Sequence, residues 1–190
     1  MANANTPFGL RPVRHRNGAA YNGSATRYYV PASDATALFL GDPVILAGSA
    51  DADGVATVTR ATAAGGAYVL GAVVGVEPMT NASSVYRPAS TAAYVLVADN
   101  PDIIYEIQED AVGGALAAAD VGLNADLIAG TGSTINGLSA FQLDTSTKGT
   151  LNTLQMRIHG FVQRADNEIG ANAKVLVSLN LHAQNNLTGI

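Results

Sequence analysis

The chain has 190 residues, which at roughly 100 to 200 residues per domain makes one domain able to bury a core without staples. Only 13% of residues are charged, against a globular norm of roughly 25%, while 48% are apolar and 20 are glycine. This excludes a disordered chain, a coiled coil and a charged tail, and the absence of Cys excludes a disulfide framework and thiolate metal sites.

The net charge of −5 is unevenly divided. Arg11, Arg14, Arg16 and Arg27 all precede the first acidic residue, Asp34, so residues 1–33 carry +4 and the remainder, with six basic and fifteen acidic residues, carries −9. A basic leader on an acidic body reads as an arm that docks on something acidic. Four arginines make too small a footprint for a nucleic-acid domain, so nucleic acid is not an expected partner.

Residues 1–24 hold Pro7, Pro12 and Asn-Gly pairs at 17–18 and 22–23, with no sustained period. Pro fixes φ and removes a donor, and Asn-Gly favours tight turns, so this segment is expected to be an extended arm that is ordered by leaning on a surface. Residues 25–190 are expected to form a single β domain. Strand signals run through 27–30, 38–40 and 44–46, and the DADG at 51–54 turns the chain into 55–59. Further strands follow at 68–77, 94–98 and 103–109, the last alternating Ile103, Tyr105 and Ile107 with Ile104, Glu106 and Gln108.

The Ala-rich stretch 115–120, closed by Gly122, is the one expected helix. After strands at 123–129 and 138–143, separated by a Gly/Ser/Thr loop tip, residues 154–159 put Leu154, Met156 and Ile158 on one face and Gln155, Arg157 and His159 on the other. Gly160 breaks that register as a bulge. Residues 174–182 are expected to point Val175, Val177, Leu179 and Leu181 inward and Ser178, Asn180 and His182 outward. About nine or ten short strands at spacings near ten residues indicate a mainly β protein, an antiparallel β-barrel or jelly-roll-like sandwich with an extended N-terminal arm and one short helix.

Catalytic and metal motifs are missing. His15, His159 and His182 lack ligand spacing and read as solvated side chains. Asp51 and Asp53 open like a calcium loop, but Thr62 stands where the closing Glu is needed. The glycines at 130–137 fit no dinucleotide fingerprint, and neither a P-loop nor a nucleophile elbow occurs. Glu106, Glu109 and Asp110 cluster at what reads as a solvated strand end. No catalytic residue, metal or cofactor is expected. The opening residues lack a signal-type leader, and the apolar run at 67–76, interrupted by Gly71 and Gly75, is too short to span a bilayer. No membrane partner is expected.

Four segments carry a resemblance: ANANTPFGLRPV at 2–13, LGDPVILAG at 40–48, GAVVGVEP at 71–78, and the stretch from YVLVADNPD at 94–102 to Gly114. With these the chain resembles the head decoration, or cement, proteins of tailed bacteriophages over nearly its whole length. The resemblance implies a non-catalytic β subunit on the capsid exterior of the virion, clamping neighbouring major capsid protein subunits. It also implies a homo-oligomer, with decoration at threefold positions favouring a trimer over a dimer. Contacts to capsid or sister subunits are then expected from Phe8, Leu10, Arg11, Val13, Arg14, Arg16 and Arg27. Guanidinium groups suit bidentate pairing with carboxylates, and the apolar residues supply anchors. A tail or head–tail connector component and a host- or glycan-binding module are the alternatives; the absence of Trp counts against the latter.

Overall fold

Short β segments punctuated by turns account for nearly all of the regular structure. The computed structural model describes residues 3–78 and 80–185, and its strands are β1 (Arg11–His15), β2 (Thr26–Val30), β3 (Pro43–Ala50), β4 (Ala56–Arg60), β5 (Gly71–Val76) and β6 (Ala93–Ala98). They continue with β7 (Ile103–Gln108), β8 (Asn124–Ile128), β9 (Gln142–Gly149), β10 (Met156–Phe161) and β11 (Lys174–Leu179). The fold is mainly β, as expected. Strands β2-β4-β3-β5-β6 close into a barrel, and β1-β7-β11-β10-β8-β9 form a six-stranded sheet. The barrel is thus inserted in the chain between the first two neighbours of the sheet. The expected helix is reduced to one 3-10 turn, Ala118–Asp120. Six Ala-rich residues are too few to nucleate an α-helix. Asp120 fixes the turn by accepting from the Ala117 amide (2.9 Å) and from Lys148 (2.8 Å).

Two interiors share one wall. Val30, Leu38, Val44, Val58, Leu70, Val73, Val95 and Val97 fill the barrel. Ala61, Val69, Ala72 and Ala98 point out of the same barrel wall, into the core that Tyr105, Ile107, Met156, Ile158, Val175 and Val177 form beneath the sheet. Adjacent residues part to the two sides, Val69 from Leu70 and Ala72 from Val73, and a break in strict alternation around Gly71 keeps Leu70 and Val73 on the barrel side. Small side chains let the layers approach, which gives the Ala- and Val-rich composition a structural use.

The glycine-bearing loop at 130–137 is not a free tip. Leu40 donates to the Gly137 carbonyl (2.8 Å) and Ser139 to that of Leu40 (2.8 Å), so the β8–β9 connection is stitched to the barrel. A second stitch comes from an arginine that sequence reasoning passed over. Arg87 is fully buried, and its guanidinium donates to the carbonyls of Thr91 (2.6 Å), Thr36 (2.6 Å), Pro31 (2.7 Å) and Asp34 (2.9 Å). The Asp34 carboxylate lies 3.9 Å away and supplies the nearby negative charge.

His182 departs from the outward orientation expected of it. Asn180 and Leu181 both donate to the Gln155 carbonyl (2.7 and 3.3 Å), which breaks the alternation past β11 and leaves His182 only 1% exposed. Main-chain bonds from Val69 to Leu181 and from Ala183 to Val69 (both 2.9 Å) then tie this end of the sheet to the barrel. Burial holds the His182 imidazole below its ordinary range, and its Nδ1 accepts from the Gln184 amide (3.1 Å). With the folded value depressed, stability from this group is full above about pH 6.5 and is lost as the pH falls through the lower folded value. Urea titrations at about pH 7.5 and about pH 5.5 are expected to show that loss, and His182→Gln is expected to flatten it. An identical pH slope in the variant would reject this assignment.

Candidate interaction face

The outer face of the six-stranded sheet gathers three of the residues singled out in the arm, Arg11, Arg14 and Arg16. β1 pairs antiparallel with β7, and its register shifts between Pro12 and Arg14. Residues three apart in a regular strand point to opposite faces; the bulge at Val13 puts Arg11 and Arg14 on the same one. Arg11 lies opposite Glu106, and Glu106 opposite Leu176. One step along, Arg14 is opposite Ile104, Ile104 opposite Ser178, and Ser178 opposite Arg157. Two cross-strand rows result, and they differ in charge balance.

The first row is matched. Arg164 grips Glu106 with two contacts, Nη2 to Oε1 (2.8 Å) and Nη1 to Oε2 (3.3 Å), while Arg11 stands 3.9 Å from Oε2. Arg164 also reaches Asp166 (3.2 Å), which in turn binds Lys174 (3.2 Å). Lys174 is the main influence holding the Asp166 carboxyl below its usual range, and Arg164 reinforces it. Glu106 is 3% exposed, so it is a desolvated partner of two arginines rather than the solvated strand end that was expected.

The other two clustered carboxylates are also committed. Glu109 is fully buried and accepts from the amides of Ala111 (2.9 Å) and Ala173 (3.3 Å); burial pushes its pKa up. Asp110 accepts from the Thr145 amide (3.0 Å) and hydroxyl (2.8 Å). All three serve turns and strand ends.

The arm itself lies against its own sheet. Gln108 accepts from the Thr6 amide (3.0 Å) and donates to the Ala4 carbonyl (2.7 Å), and the Asn3 side chain bridges to the Glu168 and Ala171 carbonyls (2.9 and 3.0 Å). That cover explains why all six β7 residues are buried despite the alternation in their sequence. Leu10 is 1% exposed within the core beneath the sheet, and Phe8 is 8% exposed with the Arg11 guanidinium 4.4 Å above its ring. The apolar anchoring expected of Phe8 and Leu10 is therefore directed inward, to their own chain. Val13 is half-buried, and Arg11, Arg14 and Arg16 are exposed. Arg27 sits apart on β2 of the barrel, stacked 3.4 Å over Tyr94 and 3.1 Å from both Glu77 oxygens.

Gly9 and Gly41 make the arm's entry possible. Leu10 donates to the Gly41 carbonyl (2.9 Å) and Gly41 to that of Val73 (2.7 Å). Segments 2–13, 40–48 and 71–78 thus converge at one backbone crossing.

The second row is unmatched. Arg16 donates to Ser178 Oγ (3.1 Å), and His159 Nε2 lies 2.9 Å from the same oxygen. Burial, then the charges of Arg16, Arg157 and Arg14, hold the His159 pKa down. Sequence alternation placed Arg157 and His159 on one polar face but could not show that β7 and β11 carry them to Arg14 and Arg16. Among the described residues, no group of three or more His, Cys, Asp or Glu side chains is placed to hold a metal ion.

The chain matches no protein-family model, no curated protein and no solved structure. No helix among the described residues is long and apolar enough to cross a membrane.

Proposed function

We propose that the protein is a structural virion component that binds the outer surface of a tailed-phage capsid and stabilises it by clamping neighbouring major capsid protein subunits. It acts as a homo-oligomer, a trimer in preference to a dimer, without catalysis or cofactor. The observation that supports this reading is the display of Arg11, Arg14 and Arg16 from a strand whose backbone is already paired and anchored. Guanidinium groups on a fixed backbone lose less freedom on docking than groups on a loose tail. Several weak contacts per oligomer then combine through effective concentration.

Point substitutions test this better than removal of residues 1–24, because deletion would also strip β1 from β7. Wild-type protein is expected to co-sediment with expanded capsids that lack it, and Arg14→Glu/Arg16→Glu to bind them at least about tenfold more weakly. Wild-type protein left in the supernatant overturns the proposal. Binding confined to tails would support the connector or tail reading instead. A glycan site is disfavoured by the Arg27 guanidinium, which covers a face of Tyr94 that a sugar would stack on.

A further inference from the structure

We infer that the concavity lined by Arg16, Arg157, His159, Ser178 and Asn180, with Arg14 in the same cross-strand row as Ser178 and Arg157, is a docking site for a carboxylate-bearing segment of a protein partner. It deepens the capsid-binding reading and rests on it for the partner's identity, but it places most of the site on the body, outside the arm. This is a chain of fifteen acidic and ten basic residues, so an arginine has ample opportunity to find an internal carboxylate. In the neighbouring row Arg11, Arg164 and Lys174 have done so. Among the described residues Arg14 and Arg157 have no carboxylate in salt-bridge contact, and Arg16 meets only Asp102, at 3.9 Å with both side chains largely exposed.

The cluster is also organised. Cross-strand pairing fixes Arg14 and Arg157 on either side of Ile104 and Ser178, so their spacing is set by backbone hydrogen bonds. Ser178 is fully buried beneath them. Its hydroxyl oxygen accepts from Arg16 and shares a hydrogen bond with His159 Nε2. Asn180 is held by its amide, which donates to the carbonyls of Asn152 (3.0 Å) and Leu154 (2.8 Å). The site therefore offers planar guanidinium donors, with an imidazole beside them, around a polar floor. A carboxylate accepts such donors in bidentate fashion.

A nucleic acid fits less well. The concavity is lined by Arg16, Arg157, His159, Ser178, Leu179, Asn180 and Asn185, with no Phe, Tyr or Trp to stack a base. The net charge of −5 opposes a long polyanion, whereas a short acidic segment meets only the local positive field.

The test uses a fluorescently labelled Glu-rich peptide, a Gln-rich peptide of equal length, a single-stranded oligonucleotide and expanded capsids, with wild-type protein, Arg157→Gln/His159→Gln and the remote control Arg60→Gln. The Glu-rich peptide is expected to bind wild type and Arg60→Gln alike and the double variant about tenfold more weakly, with unchanged melting curves. Equal peptide binding by all three proteins, or tighter binding of the oligonucleotide than of the peptide, overturns the site. Peptide binding with no capsid binding keeps the site and removes the capsid reading. Capsid binding that ignores Arg157→Gln/His159→Gln removes the site and keeps the capsid reading.

Discussion

Replacing Arg87 by Met is expected to lower the thermal midpoint by roughly 10 °C. The side chain is fully buried, and four carbonyl oxygens from residues 31, 34, 36 and 91 depend on its guanidinium. Met fills much of the volume but donates nothing, so the Thr36 and Thr91 carbonyls lose their donor, those of Pro31 and Asp34 keep only a main-chain one, and the Asp34 carboxylate loses the positive charge 3.9 Å away. Breaking a buried charged network in this way costs about 3–5 kcal/mol, and a domain of this size shifts by about 2–4 °C per kcal/mol. Arg87→Lys is expected to recover only a minor part of the loss, because a single ammonium cannot reach acceptors spread around a planar fork. Melting curves of the three proteins decide the matter: a Met variant within 2 °C of wild type, to an order of about the error of such curves, would show that water replaces the guanidinium without cost.

The second large effect is expected at Gly9. A Cβ there would lie 2.4 Å from the Gly41 oxygen and 2.6 Å from Ser139 Cβ, at a φ of +73°. Gly18 offers a matched control, with a φ of +89° and nothing within 4 Å of its Cβ position. Gly18→Ala should therefore cost only the left-handed backbone strain of about 1–2 kcal/mol. Gly9→Ala adds a clash with main chain that cannot step aside, and a total loss of ~3 kcal/mol or more is expected. Since Leu10 and β1 follow directly, the loss should appear as release of the arm. Limited proteolysis is expected to cut residues 3–15 of Gly9→Ala well before those of Gly18→Ala. Equal cleavage rates would mean that the crossing tolerates a methyl group.

Much of the strand pattern was legible because burial on one face leaves a period of two. Residues 156–159 alternate in the structure as they do in the sequence, and the register of β10 shifts next to Gly160 as expected, but Gln155, expected on the polar face, is fully buried and donates to the Thr62 and Ala67 carbonyls. The pattern misled where a second layer intervened. Glu106 and Gln108 looked solvent-facing, yet the arm and Arg164 cover them, and nothing local to 103–109 encodes that cover. His182 was misplaced for a similar reason: the deciding acceptor, the Gln155 carbonyl, belongs to a distant segment. Arg87 left no trace at all, because its partners are main-chain carbonyls in irregular segments, and any sequence supplies carbonyls. The arginines of the candidate face were individually conspicuous. Their division into a matched and an unmatched row follows from the order β1-β7-β11-β10, which is a property of topology.

The barrel is inserted between β1 and β7, an arrangement that at first sight marks it as a module that could be lifted out. The double use of its wall says otherwise. Val69, Ala72 and Ala98 belong to the sheet's interior while their neighbours Leu70, Val73 and Val97 belong to the barrel's. Excision would bare the underside of the sheet and, with it, the tie from Val69 to His182. The smallest portion of this protein that can be grafted, exchanged or inherited intact is accordingly the whole double-layered body, and variation is free to accumulate only on its loop tips and on outward positions away from the two arginine rows.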